Sequence, residues 1–270
     1  MRVDSNGVGI EYEVTGDGRP VVLLHGFPDA GRIWREQVPA LAEVGFRVIV
    51  PDLRGCGRSD KPPAVEAYTM QRLVGDVLAV MSDARAERAH VVGHDWGAAL
   101  AWVIATWAGA SVDHLVALSA GHPAALRASG PQQREKSWYM LLFQFAGVAE
   151  QWLSAGGWAN FLEWGHHPDA EAVIAELEQN QSQTPGLNYY RANVPPESYL
   201  RPPVAWPPVQ APTMGVWSSG DLFLTEAQMA GSAEHVAGAW RYERLEGSGH
   251  WMQLDAPGAL NELLIDFLPA

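Results

Sequence analysis

At 270 residues, 47% apolar and 18% charged, the sequence is long enough for one large α/β domain, with or without an insertion, and too apolar for a disordered chain. Its formal charge of −13 argues for a self-repelling surface and against nucleic acid as a partner. The single cysteine, Cys56, excludes an internal disulfide and fits a reducing compartment; no apolar segment opens the chain and no run is long enough to cross a bilayer, so a cytoplasmic protein with no membrane partner is expected.

The first predicted element is an alternating strand from Val8 to Val14, turned by Thr15-Gly16-Asp17-Gly18 into a second from Pro20 to Leu24. Val21-Val22-Leu23-Leu24 is apolar without alternation, as a strand covered on both faces requires. His25-Gly26-Phe27-Pro28-Asp29 forms a loop, and a helix is predicted from about Ile33 to Val44, stopped by Gly45. Phe46 to Val50 is the next strand, closed by the loop Pro51 to Asp60. Gly55 and Gly57 lack the spacing and the following apolar helix of a dinucleotide loop, and Cys56 between them reads as a small loop residue. A helix from Met70 to Ala84, a strand from Ala89 to Val92 and a strand from His114 to Leu118 follow. Between the last two, a helix runs to Ala108.

From Pro123 to Pro208 strand signals vanish and helical, aromatic-rich stretches take over. The paired prolines of Arg201 to Pro212 then make a stiff extended return. Strands return with Thr213 to Trp217 and Trp240 to Leu245, separated by a helix from Thr225 to Val236 and followed by a C-terminal amphipathic helix. Alternation of this kind implies a mostly parallel, doubly wound sheet. The predicted organisation is a core of residues 1–122 and 209–270 with a helical cap of residues 123–208 inserted between two strands.

Val91-Val92-Gly93-His94-Asp95-Trp96-Gly97-Ala98 reads as a strand, a turn too tight for bulk, and a helix. Gly93 and Gly97 permit strand and helix to approach, so Asp95 is pushed out at the apex. Asp221 and His250 likewise fall just after predicted strands, and parallel sheets gather such residues at one edge. Taken singly, Asp95 and Asp221 also read as helix N-caps and His250 as a hydrogen-bonded surface residue. Taken together, they stand in the order nucleophile, acid, histidine. His166-His167-Pro168 has no acid or cysteine at ligand spacing, so no metal is expected, and His25 and His94 read as structural members of their loops.

Gly93-His94-Asp95-Trp96-Gly97-Ala98, His25-Gly26-Phe27-Pro28 and Asp52-Leu53-Arg54-Gly55-Cys56-Gly57-Arg58-Ser59-Asp60 resemble the epoxide hydrolase and haloalkane dehalogenase branch of the α/β-hydrolases, over essentially the whole chain. The resemblance implies an α/β-hydrolase fold, no cofactor, and an elbow whose usual serine is replaced by Asp95. A carboxylate there attacks saturated carbon and forms an alkyl ester. Water deprotonated by His250, held by Asp221, then attacks the ester carbonyl, with the backbone N–H groups of Phe27 and Trp96 as the implied oxyanion donors.

Both activities share these motifs, and the leaving group separates them. A halide leaves without a proton, whereas an epoxide oxygen leaves as a basic alkoxide and needs an acid such as tyrosine, near pKa 10. Ser137-Trp138-Tyr139-Met140-Leu141-Leu142-Phe143-Gln144 and Leu187-Asn188-Tyr189-Tyr190-Arg191-Ala192-Asn193 resemble the two cap motifs of epoxide hydrolases. The resemblance therefore implies Tyr139 and Tyr190 as the pair on the epoxide oxygen, with Tyr189 and Tyr199 as the substitutes. Trp138, Trp152, Trp158 and Trp164 read first as packing, with some of them lining the pocket, and Trp138, Phe143 and Trp251 are the pocket candidates. The expected activity is hydrolysis of an apolar or aryl epoxide to a vicinal diol, with the epoxide and water as partners. The alternatives are a dehalogenase using the same aspartate and a ligand-binding sensor on the same fold. The oligomeric state stays open, a homodimer included.

Overall fold

The computed structural model describes residues 1–202 and 204–270. Its strands are β1 (Arg2–Asp4), β2 (Gly9–Thr15), β3 (Arg19–Leu24), β4 (Phe46–Pro51), β5 (Ala89–His94), β6 (Val112–Leu118), β7 (Thr213–Ser218) and β8 (Trp240–Leu245). They form one sheet in the order β1-β2-β4-β3-β5-β6-β7-β8. The β1–β2 and β2–β4 pairs are antiparallel and all the others parallel. Every residue of β5 and β7 is buried, which is why neither strand alternates in sequence.

The core helices are α1 (Gln37–Glu43), α2 (Met70–Asp83) and α3 (Trp96–Trp107) in the first half of the chain. Among these α3 is nearly all apolar because it lies against β5 and β6 on one side and α2 on the other. Between β6 and β7 the described residues supply α4 (Pro123–Ala128), α5 (Gly130–Lys136), α6 (Trp138–Leu142), α7 (Val148–Gly165), α8 (Ala170–Asn180) and α9 (Gln183–Asn193), and no strand. The second half of the core adds α10 (Glu226–Ala230), α11 (Met252–Asp255) and α12 (Pro257–Phe267). Pro203, part of the expected proline-rich return, lies outside the described residues.

Three elements differ from the sequence reading. The short edge strand β1 was not expected, since its three residues carry no alternation to detect. The helix expected over 33–44 is a 3₁₀ turn, Gly31–Trp34, followed by a separate α1. Pro39 explains the break: it has no N–H to give Arg35, so the helix restarts with Pro39 in its first turn. The helix expected over 225–236 stops at Ala230 and continues as a 3₁₀ turn, Gly231–His235, where the Ser232 hydroxyl bonds back to the Gln228 carbonyl. Helix α7 is also interrupted. Gly156, Gly157 and Trp158 take φ of 61°, 68° and 69° inside it, so its last part, carrying Phe161 and Trp164, departs in a new direction.

The parallel register brings the strand ends together. Leu24 pairs with Gly93, His94 with Leu118, Leu118 with Val216, and Ser218 with Leu245. The loops that leave these strands therefore share one edge of the sheet, and α9 is fastened over that edge. Tyr189 donates its hydroxyl to the Arg54 carbonyl at 2.7 Å, and Asn193 both donates to the Tyr68 carbonyl at 2.9 Å and accepts from the Met70 N–H at 2.7 Å.

Candidate active site

At the tip of β5 the backbone reverses through Asp95, with φ 54° and ψ −119°, a conformation side chains rarely adopt. The glycines on either side make it sterically feasible. A Cβ on Gly93 would stand 2.1 Å from the Gly97 carbonyl oxygen, and one on Gly97 would stand 2.1 Å from that of Leu24. The Asp95 carbonyl accepts the N–H groups of Ala98 and Ala99 and so starts α3. Its carboxylate makes no capping bond to that helix and turns to the loops above the sheet.

Asp95 Oδ1 accepts the Phe27 N–H at 2.9 Å, and the Trp96 N–H is a second backbone group that favours the charged carboxylate. The loop can come this close because Gly26 has no side chain; a Cβ there would lie 2.3 Å from Asp95 Oδ1. Asp95 Oδ2 faces His250 Nε2 at 3.7 Å. On its other side His250 Nδ1 meets Asp221 Oδ2 at 2.9 Å, and Asp221 Oδ1 accepts the N–H groups of Phe223 and Leu224 at 2.8 and 2.9 Å. Burial raises the Asp95 carboxyl, with His250 and the two backbone N–H groups opposing it. Burial would also raise Asp221, but His250 and the N–H groups of Leu224 and Phe223 hold it below the usual carboxylate range. His250 is raised despite a burial that disfavours its charge, because Asp221, Asp95 and Asp29 favour it.

Tyr139 from α6 and Tyr190 from α9 stand over this group, ring centroids 6.0 Å apart, and both are buried. Their hydroxyls are pushed well above 10, first by burial and next by the Asp95 charge. Each therefore keeps its proton at neutral pH beside a carboxylate. Tyr189 is committed to Arg54 and Tyr199 is exposed, so neither substitutes for Tyr190. The four polar side chains open into a narrow cavity with about 10 Å³ of free space, lined by Asp95, His250, Tyr139 and Tyr190. Its remaining wall is aromatic: Phe27, Phe161, Trp164, Phe223 and Trp251, closed by Pro28. A larger surface cleft beside Met81 and Arg85 contains none of these residues.

Of the pocket candidates, Trp251 lines the cavity, and the other two need correction. Trp138 is 50% exposed and packs edge-on against Trp152, because one step along α6 turns it about 100° away from Tyr139. Phe143, four residues after Tyr139, shares the inward face but sits behind the wall, against Phe27, Tyr139 and Tyr190. Trp164, read first as packing, is part of the lining, and Phe161 and Phe223 were missed. Their only signal was an aromatic cluster, which core and pocket produce alike. His25 and His94 bond to backbone, at Leu53 N and His250 O. His167 bonds Asp29, and among the described residues no cluster of His, Cys, Asp or Glu could hold a metal. No helix among the described residues is long and apolar enough to cross a membrane.

A family model described as the alpha/beta hydrolase fold matches residues 19–257. Epoxide hydrolase A of Mycobacterium tuberculosis is 32% identical over 98% of this chain and 96% of its own. Epoxide hydrolase 3 of Xenopus tropicalis is also 32% identical, over 99% of this chain and 77% of its own. Among solved structures, Bacillus megaterium epoxide hydrolase in complex with an inhibitor superposes with a TM-score of 0.90 at 27% identity, covering 99% of both chains. Epoxide hydrolase A from Mycobacterium thermoresistibile gives 0.82 at 30% identity, over 99% of this chain and 97% of that one.

Proposed function

The chain belongs to the α/β-hydrolase fold family, among its epoxide hydrolases, and from that premise we propose that it adds water to an apolar or aryl epoxide through an alkyl ester on Asp95. The observation that carries this reading is the placement of the Asp95 carboxylate: one oxygen on the Phe27 N–H, the other facing His250, and two protonated tyrosines above. Residues 123–208 act as the cap that brings the tyrosines down, and residues 1–122 and 209–270 as the core.

Asp95 attacks one oxirane carbon, the carbon–oxygen bond breaks, and a tyrosine proton passes to the departing alkoxide. Holding the oxygen between two phenols lowers the barrier to ring opening, and an aromatic wall keeps bulk water from competing for them. Esterification removes the Asp95 charge, which is one of the groups raising His250, so more of the imidazole is neutral and free to take a proton in the second step. His250 then takes a proton from water, the hydroxide adds to the Asp95 carbonyl carbon, and the oxyanion that forms is held by the N–H groups of Phe27 and Trp96. Collapse breaks the ester bond to the substrate, the departing alkoxide takes the proton left on the added oxygen, which releases the diol and restores the Asp95 carboxylate, and the proton on His250 restores the tyrosine.

Mass spectrometry of a His250→Gln variant exposed to styrene oxide, and separately to a chloroalkane, tests this. Ester formation survives and hydrolysis stalls, so the expected result is a gain of the whole epoxide on Asp95. A gain of only the alkyl group from the chloroalkane, with no epoxide adduct, points instead to a dehalogenase. No adduct from either, with a parent that turns over neither, leaves the sensor reading.

A further inference from the structure

Outside the reacting groups, Asp29 is a buried carboxylate with both oxygens committed. Its side chain is 3% exposed, in the turn that follows Phe27-Pro28. One oxygen faces His167 Nε2 at 3.1 Å and the other accepts the Trp251 indole N–H at 2.9 Å. His167 belongs to the inserted helices, in the link between α7 and α8, and its Nδ1 accepts the Asp169 N–H at 2.9 Å. That bond fixes the tautomer, leaving Nε2–H to donate to Asp29. Trp251 directly follows His250 and is wedged between His167 and His250, with ring centroids 4.3 and 4.9 Å away. Burial would raise the Asp29 carboxyl, yet His167, with His94 and His25 beyond it, holds it below its usual range.

We propose that Asp29 and His167 are positioning residues that join the cavity wall to the His250 loop, so that the general base is seated only when the insertion is docked. The inference rests on the epoxide hydrolase reading of the site. Two features of the fold support it. The part of α7 that carries Phe161 and Trp164 lies between the Gly156–Trp158 break and His166, which is itself left-handed at φ 49°. That wall is therefore held at its far end by His167 rather than by a continuous helix. Tyr190 depends on other fastenings of its own helix, the Tyr189 bond to Arg54 and the Asn193 bonds to Tyr68 and Met70. Losing the Asp29–His167 pair should then disturb His250 more than Tyr190. The second half-reaction, which alone needs the base, should suffer selectively.

The test is rapid-quench mass spectrometry of the Asp95 ester with styrene oxide, separating its formation from its hydrolysis. In His167→Phe, which keeps the ring and removes the donor, ester hydrolysis slows at least about tenfold while formation changes less than about threefold. Gln places an N–H where Nε2 stands, so His167→Gln restores hydrolysis to within about threefold of the parent. Asp29→Asn shows the same selective loss, and the double variant Asp29→Asn/His167→Phe is no slower than the worse single one, because both remove one link. A residue that merely stabilises the fold lowers the melting temperature and leaves the two rates in proportion. A folded His167→Phe that hydrolyses the ester at the parental rate, or one in which both rates fall equally, overturns the proposal. If His167→Phe does not fold, Asp29→Asn carries the same comparison. A parent that forms no ester overturns the hydrolase reading and this proposal together, an outcome distinct from an ester that hydrolyses normally in the variants.

Discussion

Asp95 Oδ2 and His250 Nε2 face each other at 3.7 Å, beyond hydrogen-bond length, while the opposite ring nitrogen of His250 is tied to Asp221 at 2.9 Å. The imidazole is thus anchored from behind and leaves the nucleophile unencumbered on the side from which an electrophile arrives. A water taking the place of that gap would touch both the base and the carbonyl carbon of an ester on Asp95.

On the proposed mechanism the tyrosines act in the first step. Tyr190→Phe and Tyr139→Phe each lower the rate of ester formation, by about 10²-fold or more where the lost phenol was the proton donor. Single-turnover kinetics on a small aryl epoxide measures this, with ester hydrolysis left near the parental rate. Because both hydroxyls are held well above 10, ester formation keeps its rate up to at least pH 9.5. A fall beginning near pH 8 would count against their role as acids.

On the same mechanism His250 governs the second step, and the direction of its acid limb follows from its neighbours. Its folded-state value is raised from 6.5, by Asp221 first among its charged neighbours and then by Asp95 and Asp29. In the ester the Asp95 charge is gone, so the limb of ester hydrolysis falls below the titration of His250 in the free protein, and Asp221→Asn moves it lower still. For folding the sign is opposite to that of an acid group. A raised histidine contributes stability fully below 6.5 and loses it as pH rises through its folded value. NMR titration of His250 beside a pH series of single-turnover rates checks both statements.

On the proposed reading, Trp164 limits the size of the substrate. Its ring lines the narrow cavity and packs on Tyr139 and Phe223 at 5.0 and 5.2 Å. Trp164→Ala widens the site, and the ratio of kcat/KM for a naphthyl over a small aliphatic epoxide rises by about tenfold or more, within the 1–3 kcal/mol that pocket shape commonly provides. Stability falls at the same time, by about 3–5 kcal/mol if the site does not collapse. An unchanged ratio would show that the wall, as folded, does not meet the substrate.

Arg54 and Asp76 form a buried two-bond ion pair at 2.7 and 2.6 Å, beneath the loop whose carbonyl receives Tyr189. Asp76→Ala leaves the guanidinium without its partner and costs about 3–5 kcal/mol. Urea denaturation measures the loss. Ester formation should weaken beyond what the unfolded fraction explains, since Tyr190 follows Tyr189 on the same helix.

Much of the molecule could be read from residue order. The parallel strands declare themselves by apolar runs such as Val21-Val22-Leu23-Leu24, and Gly93 and Gly97 identify the apex because backbone stands where a Cβ would go. Asp95, Asp221 and His250 were legible as strand-end residues, for a parallel sheet delivers its strand ends to one edge whatever the loops do. The cap was legible only in type. A run of helices with many aromatics does not say which ring faces inward, so Trp138 and Trp164 exchange the places their sequence suggested: about 100° of helix rotation puts one in solvent, and the break at Gly156-Gly157 turns the other into the cavity. Nor does any local pattern join Asp29 to His167 and Trp251, which lie far apart in the chain. Sequence alone determined the fold and placed Asp95 at the apex of its turn, because periodicity and steric need are local. Tertiary structure decided the wall, the fastening and the distance from Asp95 to His250, because those depend on how separate elements pack.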